Sequence, residues 1–281
     1  MSEISIREIH QGCVAPSELR VCGWVRTHRR SKNVAFIELA DGSAVAGLQL
    51  VIDPELESYR AYADKITTGC SISACGELVP SPAKGQRYEV RVSEILLVGE
   101  ADADKYPLQK KGHSLEFLRE CLHLRGRSNT IGAVMRVRST VASAVHRYFQ
   151  ERGFIYLHTP IITSSDCEGA GQMFRVTTFN LGQVPAREGK VDFSQDFFKA
   201  ETSLTVSGQL EAEAYACALK KVYTFGPTFR AENSNTTRHL AEFWMVEPEM
   251  AFCDLDGDMR TAEEFLKFII REILERCAAD L

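Results

Sequence analysis

Five side chains that could bind a nucleotide lie close together in FRAENSNTTRHLAEF, residues 229–243. Arg230 and Glu232 follow one aromatic run, and Arg238, His239 and Phe243 begin the next. The Asn-, Ser- and Thr-rich stretch between the runs favours a turn, so a hairpin would bring the five together. Two guanidinium groups can bind phosphate oxygens in a bidentate manner, and a ring beside a carboxylate suits a purine base. The segment therefore predicts a nucleoside triphosphate held on an antiparallel sheet without a glycine-rich loop. A solvated surface ion pair is the alternative interpretation.

The elements that must position this segment can be predicted from hydrophobic periodicity. We expect hairpin strands over 222–231 and 242–252, with Phe243, Met245, Glu247 and Glu249 on one face of the second. Apolar residues at helical spacing predict a helix over 131–152, which Gly153 ends, and a strand follows. Two further helices are expected over 211–220 and 258–281, the second with Phe265, Phe268, Ile269 and Leu274 facing inward.

The first hundred residues predict a small β-barrel. Short alternating stretches suggest strands, and a helical stretch lies between the third and the fourth strand, an order typical of the OB-fold. A basic turn at 26–33 separates the first two strands. The strands are expected over 19–26, 34–39, 47–52, 70–79 and 88–98, with the helical stretch over 55–66.

Alternation in the barrel strands predicts which side chains face outward. Ile37 and Leu39 take the core positions of the second strand, so Phe36 points out. The same pattern in the third strand turns Gln49 outward. An outward ring and an amide beside a basic turn predict a surface for single-stranded nucleic acid. The alternative is that Phe36 is an ordinary exposed apolar residue.

Composition restricts the class of protein. The 281 residues are 44% hydrophobic and 25% charged, which is typical of a globular chain with two domains. The formal net charge of −5 gives no support for nucleic-acid binding but does not exclude a local basic patch. Nine scattered cysteines without C-x2-C spacing indicate neither a zinc site nor a disulfide framework, which fits a cytoplasmic location. We expect no signal peptide and no membrane-spanning segment.

A glycine-rich stretch lies between the predicted strand and the hairpin. Gly169-Ala-Gly171 cannot form a helix interior and predicts a mobile loop that could close over a ligand. Glu168 at its start could pair with a ligand ammonium, although a flexible turn with an exposed acid is the alternative. Farther along, Gln209 offers one acceptor and two donors, and Gly208 permits close backbone approach.

The segment 229–243 resembles motif 2 of the class II aminoacyl-tRNA synthetases, in subgroup b, which charges Asp, Asn and Lys. GWVRTHRRSKNVAFIEL, residues 23–39, resembles the anticodon-binding domain of the same subgroup, and the helix–Gly–strand–Pro pattern up to Pro160 resembles motif 1, which builds a homodimer interface. The resemblance implies that Arg230 holds the α-phosphate of ATP and the substrate carboxylate. It implies that Glu232 contacts adenine, that Phe243 stacks on it, and that Arg238 and His239 lie along the triphosphate.

The resemblance also implies an amino-acid pocket and an RNA surface. Ser207-Gly208-Gln209 is similar to the asparaginyl pattern, so Ser207, Gln209, Arg230 and Glu168 would bind asparagine, with Glu168 near the α-amino group. Phe36 and Gln49 would stack on and read the middle anticodon base of the tRNA, and Arg26 and Arg29 would contact its backbone. Two departures occur: Gln172 stands where Glu is usual, and the paired phenylalanines are followed by Lys199 where the family has Gly.

The sequence therefore predicts an α+β chain: an OB-fold anticodon-binding domain over 1–100, a hinge over 101–128, and a partial class II catalytic domain over 129–281, in which helices flank an antiparallel sheet. The resemblance implies ATP-dependent ligation of asparagine to its tRNA. It places the ligands of Mg²⁺ and the motif 3 arginine beyond residue 281, so we expect no metal ligands within this chain and little activity from the chain alone. A non-catalytic tRNA-binding paralogue and an aspartyl-type ligase are the alternatives.

Overall fold

The structure, a computed structural model, describes residues 3–14, 17–83, 85–109, 112–167, 169, 173–234, 236 and 239–281. It divides into two compact units, residues 1–140 with 273–281, and residues 141–272. The division falls within the helix that begins at Asn129, downstream of the predicted hinge at 101–128. The predicted domain bounds remain a prediction.

The first unit contains the predicted barrel. Its strands close in the order β1-β2-β3-β5-β4, with helix α2 between β3 and β4, which confirms the OB-fold. The elements are α1 Ile6–His10, β1 Glu18–Arg30, β2 Ala35–Ala40, β3 Leu48–Ile52, α2 Glu57–Arg60, β4 Ser71–Pro80, β5 Tyr88–Gly99 and α3 Leu115–Glu120.

The barrel core follows the alternation of the sequence. Ile37, Leu39, Leu48 and Leu50 are fully buried, whereas Phe36 and Gln49 between them are not. Burying alternate aliphatic side chains holds the barrel closed at roughly 1.5–3 kcal/mol for each side chain. The predicted outward orientation of Phe36 and Gln49 is therefore confirmed.

The predicted basic turn at 26–33 is wrong in its bounds, because β1 continues to Arg30 and its residues 27–30 pair with β2. His28, expected on a loop, lies in the strand and bonds the carbonyl of Ile66 at 2.8 Å and the hydroxyl of Tyr59 at 2.7 Å. Burial lowers the pKa of His28. The imidazole therefore contributes to packing inside the barrel rather than to a basic surface.

The described residues of the second unit form three small sheets. Strand β12 (Lys221–Phe229) pairs antiparallel with β13 (Glu242–Met250) and parallel with β6 (Ile155–Leu157). A second sheet has the order β7-β11-β8. The remaining elements are β7 Ile162–Thr163, β8 Arg175–Val176, β9 Ala186–Arg187, β10 Lys190–Val191, β11 Thr202–Leu204, α4 Asn129–Glu151, α5 Gln209–Leu219 and α6 Leu255–Arg276.

An aromatic cluster supports the hairpin from behind. Tyr223 of β12 is fully buried and stacks on Phe149 of α4, with ring centroids 4.7 Å apart. Phe265 of α6 packs on the same ring at 5.2 Å. Phe268 and Ile269 of α6 pack against the same core, so their inward orientation is confirmed, but Leu274 is 59% exposed and its predicted orientation is wrong. Helix α4 ends as expected, because Gly153 has a φ of 76°.

Among the helices of the described residues, none combines the length and the apolar composition that crossing a bilayer requires. All nine cysteines are free.

Candidate functional site

The hairpin β12–β13 presents one polar face, formed by Thr224, Gly226 and Thr228 opposite Glu247 and Phe243, among others. The register pairs Thr224 with Glu247 and Thr228 with Phe243. Successive side chains alternate between faces, so the aromatic residues at 223 and 225 turn to the core. The predicted face that carries Phe243 and Glu247 is thus confirmed, and it lies opposite the packed aromatic cluster.

Arg230 lies at the end of β12, next to this polar face. Its backbone nitrogen donates to the carbonyl of Ala241 at 3.0 Å, which closes the hairpin. Its guanidinium carbon lies 5.7 Å from the ring centroid of Phe243. On the preceding residue, the nitrogen of Phe229 donates to the carbonyl of Thr205 at 2.8 Å. The structure therefore brings Arg230 and Phe243 together, beside the segment that leads to Ser207.

Four other residues have predicted roles in binding ATP or the amino acid, and the structure describes two of them. Glu232 is exposed in the turn, and His239 accepts or donates a hydrogen bond with the hydroxyl of Thr236 through Nδ1. Arg238 and Glu168 lie outside the described residues. The roles expected of these four residues remain predictions.

Glu247 is the centre of a hydrogen-bond network on the polar face. It accepts from the hydroxyl of Ser207, from the backbone nitrogen of Gly208 at 3.2 Å, and from the hydroxyl of Thr224 at 2.8 Å. Ser207 is only 2% exposed. These donors stabilise the partly buried carboxylate, because they replace the hydration that burial removes. The network fixes the backbone of 207–208 to the centre of the hairpin.

This network changes what Ser207 can do. Its hydroxyl donates to Glu247 and accepts from the backbone nitrogen of Gln209 at 3.0 Å. A hydroxyl has one donor hydrogen, so this geometry commits it to Glu247. The geometry favours a positioning role for Ser207, and its expected direct contact with the amino acid remains a prediction.

Gln209 begins helix α5 and lies against the start of the predicted mobile loop. Its Nε2 donates to Glu213 at 2.8 Å, and the thiol of Cys167 lies 3.9 Å from its Oε1. Cys167 immediately precedes Glu168 in the sequence and is 5% exposed. The chain therefore enters the predicted loop next to Gln209.

Helix α5 covers one end of the polar face. Ala212 and Ala216 of α5 pack on Val222, at the beginning of β12. Near this covered end, burial raises the pKa of Glu249, and the charges of Glu213 and Glu247 raise it further. The other end of the face carries Phe243 and Thr228, which is 2% exposed. A cavity of about 100 Å³ adjoins the hairpin, lined by Thr205, Gly208, Thr224, Phe225, Trp244 and Glu247 among others.

Asp196 anchors the segment that precedes β11. It is 6% exposed and accepts from the hydroxyls of Thr177 at 2.5 Å and Thr178 at 2.7 Å. The backbone nitrogens of Thr178 and Phe197 donate to it at 3.0 and 2.8 Å. The Thr177 hydroxyl, together with the Thr178 donors and the Phe197 nitrogen, holds the pKa of Asp196 well below its ordinary value.

We expect Asp196→Asn to lower the melting temperature at neutral pH, because the amide cannot accept the same four bonds. Since the folded pKa is depressed, this stabilisation is complete above the unfolded pKa of about 3.9 and is lost as the pH falls through the folded pKa. The difference in melting temperature between the two proteins should therefore shrink below about pH 4. Asp192→Asn is the comparison, because hydrogen bonds to Asp192 come from only two residues, Ser194 and Gln195, within the same short turn. A pH-independent difference for Asp196→Asn would contradict the assignment.

Lys199 stands where the resembling family has glycine, and its backbone conformation bears on this difference. Lys199 has a φ of 55°, in the left-handed region where a residue with a Cβ carries a cost of about 1–2 kcal/mol and glycine does not. It follows the exposed pair Phe197 and Phe198. Glu201 forms an ion pair with Arg175. The glycine of the resembling pattern thus matches a position where this backbone favours glycine.

The barrel carries the second group of predicted residues. Arg29 and Phe36 are cross-strand partners on the outer face, with the guanidinium carbon 5.7 Å from the ring centroid. Gln49 lies opposite Glu38 on the neighbouring pair and donates to Glu89 at 3.3 Å. Phe36 and Gln49 therefore lie on one exposed face, with Arg29 beside the ring, as a stacking surface for bases requires.

Arg26 lies apart from this face. A bulge between Val25 and Thr27 interrupts the pairing of β1 with β2, and Arg26 points to a cavity at the other end of the strands. It donates to the carbonyl of Val45 at 3.3 Å. Its expected contact with the tRNA backbone remains a prediction.

Within the described part of the chain, no three His, Cys, Asp or Glu side chains are grouped so as to hold a metal ion.

Comparison with known proteins identifies both parts of the chain. Residues 114–281 match the family of tRNA synthetases class II (D, K and N). The chain belongs to the class II tRNA synthetases. Residues 19–98 match the OB-fold nucleic acid binding domain. Both matches agree with the resemblance that the hairpin and barrel motifs suggest.

Similar proteins are named asparagine–tRNA ligases. The chain is 56% identical over 281 residues to one from Synechocystis sp., covering 100% of this chain and 61% of that protein. It is 59% identical over 274 residues to one from Thermosynechococcus vestitus, covering 97% of this chain and 59% of that protein. The fold is similar to the asparaginyl-tRNA synthetase of Pyrococcus horikoshii complexed with asparaginyl-adenylate, with a TM-score of 0.82, 25% identity, and 100% and 60% of the two chains covered. The synthetase chain thus spans about 60% of the length of the relatives it matches.

Sequence reasoning missed the central role of Glu247. The period-two pattern placed its side chain on the correct face, beside Phe243. It could not pair Glu247 with Ser207, because 40 residues separate them and a different element carries each. The sequence signal that could have indicated this role was a carboxylate, Glu247, among apolar strand residues.

Proposed function

We propose that the complete gene product ligates asparagine to its tRNA in two ATP-dependent steps. In the first, the substrate carboxylate attacks the α-phosphorus of ATP, and pyrophosphate leaves. In the second, a terminal ribose hydroxyl of the tRNA attacks the carbonyl carbon, and AMP leaves. The observation that carries the proposal is the juxtaposition of Arg230 and Phe243 on the polar face, beside the Ser207–Gln209 segment. The names of the relatives support asparagine as the amino acid.

Each side chain would act through position and charge. Arg230 would bind the α-phosphate and the substrate carboxylate, offsetting the negative charge that develops on the phosphate oxygens. Phe243 would stack on adenine and Glu232 would accept from its amino group, while Arg238 and His239 would lie along the triphosphate. Glu247 would hold Gly208 and Gln209 in place, so that Gln209 presents its amide to the substrate. Catalysis of this kind depends mainly on orientation.

Magnesium is expected of this family, where it neutralises the charge of the ATP phosphates. Within this chain, the guanidinium groups of Arg230 and Arg238 would supply positive charge to the same phosphates. The outer barrel face would bind the anticodon, with Phe36 as the stacking ring and Gln49 as the base reader. We propose further that the enzyme is cytoplasmic and forms a homodimer.

An exchange of pyrophosphate into ATP tests the proposal on the complete gene product. We expect the exchange to require asparagine and to proceed at least about 100-fold less efficiently with aspartate, because a site built for an amide leaves polar groups unpaired when a carboxylate enters. Preference for aspartate would support the aspartyl-type alternative. Binding of tRNA without exchange with either amino acid would support the non-catalytic paralogue.

A further inference from the structure

A second cavity, of about 400 Å³, lies entirely within the first compact unit. Its wall includes Trp24, Arg26, Glu38, Tyr106, Arg127 and Thr130. The stacking residue Phe36 and the proposed base reader Gln49 do not line it. Its volume is in the range of cavities that bind small organic ligands, roughly 300–1,000 Å³. Of the four residues that the resemblance assigns to the anticodon, Arg26 alone lines this cavity.

Arg26 is the first cation of this cavity. Burial lowers the pKa of Arg26, and the nearby charge of Arg136 lowers it further, whereas Glu38 raises it. Its hydrogen bond to Val45 uses one of the five N–H donors of a guanidinium. A half-buried cation gains most from an anionic ligand, because the ligand replaces hydration that burial has removed.

Arg127 is the second cation, and aromatic rings hold it in place. Its guanidinium carbon lies 4.8 Å from the ring centroid of Trp24 and 5.9 Å from that of Tyr106. Its Nη1 donates to the carbonyl of Gly69 at 3.2 Å. Stacking uses the faces of the guanidinium, so its in-plane N–H groups remain suited to phosphate oxygens.

The wall that carries Tyr106 is built by close packing. A Cβ on Gly69 would lie 2.6 Å from the ring of Tyr106, and Gly69 has a φ of 94°. Only glycine fits both requirements. The ring is therefore fixed against the barrel before any ligand binds, which lowers the entropic cost of binding.

The remaining charges leave the cavity positive. Arg136 also lines it, but the carboxylate of Asp280 lies 2.7 Å from this guanidinium and compensates its charge. Glu38 opposes Arg26 and Arg127 and accepts from the hydroxyl of Thr27 at 3.4 Å. Thr130 lies in the first turn of the 23-residue helix α4, whose N-terminal end adds a partial positive charge.

We propose that this cavity binds a nucleoside monophosphate, either free or as one nucleotide of an RNA strand. Its phosphate would lie at Arg26, Arg127 and the first turn of α4, and its base would pack against the rings of Trp24 and Tyr106. The two cations supply charge-assisted bonds to phosphate, and the rings supply a stacking surface for any base. The site does not depend on the proposed ligase activity.

Calorimetric titration of the full chain with AMP, adenosine and inorganic phosphate tests this proposal. We expect AMP to bind at least about tenfold more tightly than adenosine or phosphate alone, because it uses both halves of the site. Arg26→Gln and Thr130→Glu should each weaken AMP binding about tenfold or more. Thr130→Glu is the safer variant for folding, because a carboxylate in the first turn of a helix is favourable while it repels phosphate.

Two controls separate this site from other sites. Arg91→Gln removes an exposed arginine of the same barrel and should leave AMP binding unchanged. Arg230→Ala removes the proposed phosphate ligand of the second unit and should abolish only the AMP that binds at the hairpin, so AMP binding that persists in this variant belongs to the cavity. Loss of AMP binding in Arg230→Ala alone would assign the nucleotide to the hairpin and overturn the proposal. Equal affinity of the wild type and both cavity variants would overturn it as well.

The source of the nucleotide is decided by repeating the measurement with RNA. If the site holds one nucleotide of an RNA strand, Thr130→Glu should weaken binding of a tRNA transcript, and Arg26→Gln should reduce the salt slope by about one. If the ligand is a free nucleotide, both variants should bind the transcript as the wild type does and lose only AMP. The proposal fails if neither AMP nor RNA binding responds to either variant, whatever the result of the pyrophosphate exchange.

Discussion

Replacing Arg230 by lysine should lower the rate of asparagine-dependent pyrophosphate exchange by about 10²–10³-fold in the complete gene product. Lysine keeps the positive charge but cannot form two parallel bonds to a phosphate or a carboxylate. If Arg230 binds both the α-phosphate and the substrate carboxylate, the loss should fall mainly on kcat, because the charge it offsets develops during the attack.

The matched control is Arg260→Lys, an exposed arginine of α6 on the same unit, which should change the rate by less than about twofold. Thermal melting of both variants establishes that the fold is retained. A rate for Arg230→Lys within threefold of the wild type would contradict the proposed role and leave the hairpin as a structural ion-pair surface.

Replacing Glu247 by glutamine should destabilise the second unit by about 1–3 kcal/mol. The amide oxygen can still accept from Ser207, but the amide nitrogen would face the backbone nitrogen of Gly208, a second donor. The unfolding midpoint in urea measures this change. In the complete gene product, the KM for asparagine should also rise about tenfold or more, because a small displacement of Gly208 and Gln209 misaligns the proposed pocket.

Two further variants are compared with Glu247→Gln for their effect on the free energy of unfolding. Thr224→Val removes one donor from the carboxylate and should cost about 1 kcal/mol, less than Glu247→Gln. Glu242→Gln, an exposed residue of the same strand, should be close to neutral. If Glu247→Gln and Glu242→Gln unfold at the same urea concentration, the network around Glu247 does not stabilise the hairpin.

Local periodicity was sufficient to predict most elements of the fold. In the barrel, residues 36–39 and 48–50 alternate between core and surface as the sequence indicates, because the period of a strand is a local property. Bounds were less accurate where pairing with a neighbour decides them. The strand β1 continues to Arg30 because β2 supplies partners, although the basic residues from 26 onward favour a turn.

Long-range contacts decide features that local patterns leave open. Leu274 continues the helical period of Phe265 and Phe268, which predicts a buried position. Burial also requires another element to pack on that part of the helix, and Leu274 is 59% exposed. Arg26 and Arg29 belong to one basic stretch, yet a bulge directs them to different sites. A sequence pattern over a few residues specifies neither the packing of a helix end nor the position of a bulge.

The sequence by itself determined the hairpin that carries Arg230 and Phe243, the outward position of Phe36 and Gln49, and the resemblance to the synthetases. These features depend on residue type and on spacing over a few residues. Only the tertiary structure showed that Glu247 holds Ser207 and Gly208 from across the sheet, and that Arg26 joins Arg127 in a separate positively charged cavity. Both arrangements join residues that lie 39 or more positions apart, and packing alone brings such residues together.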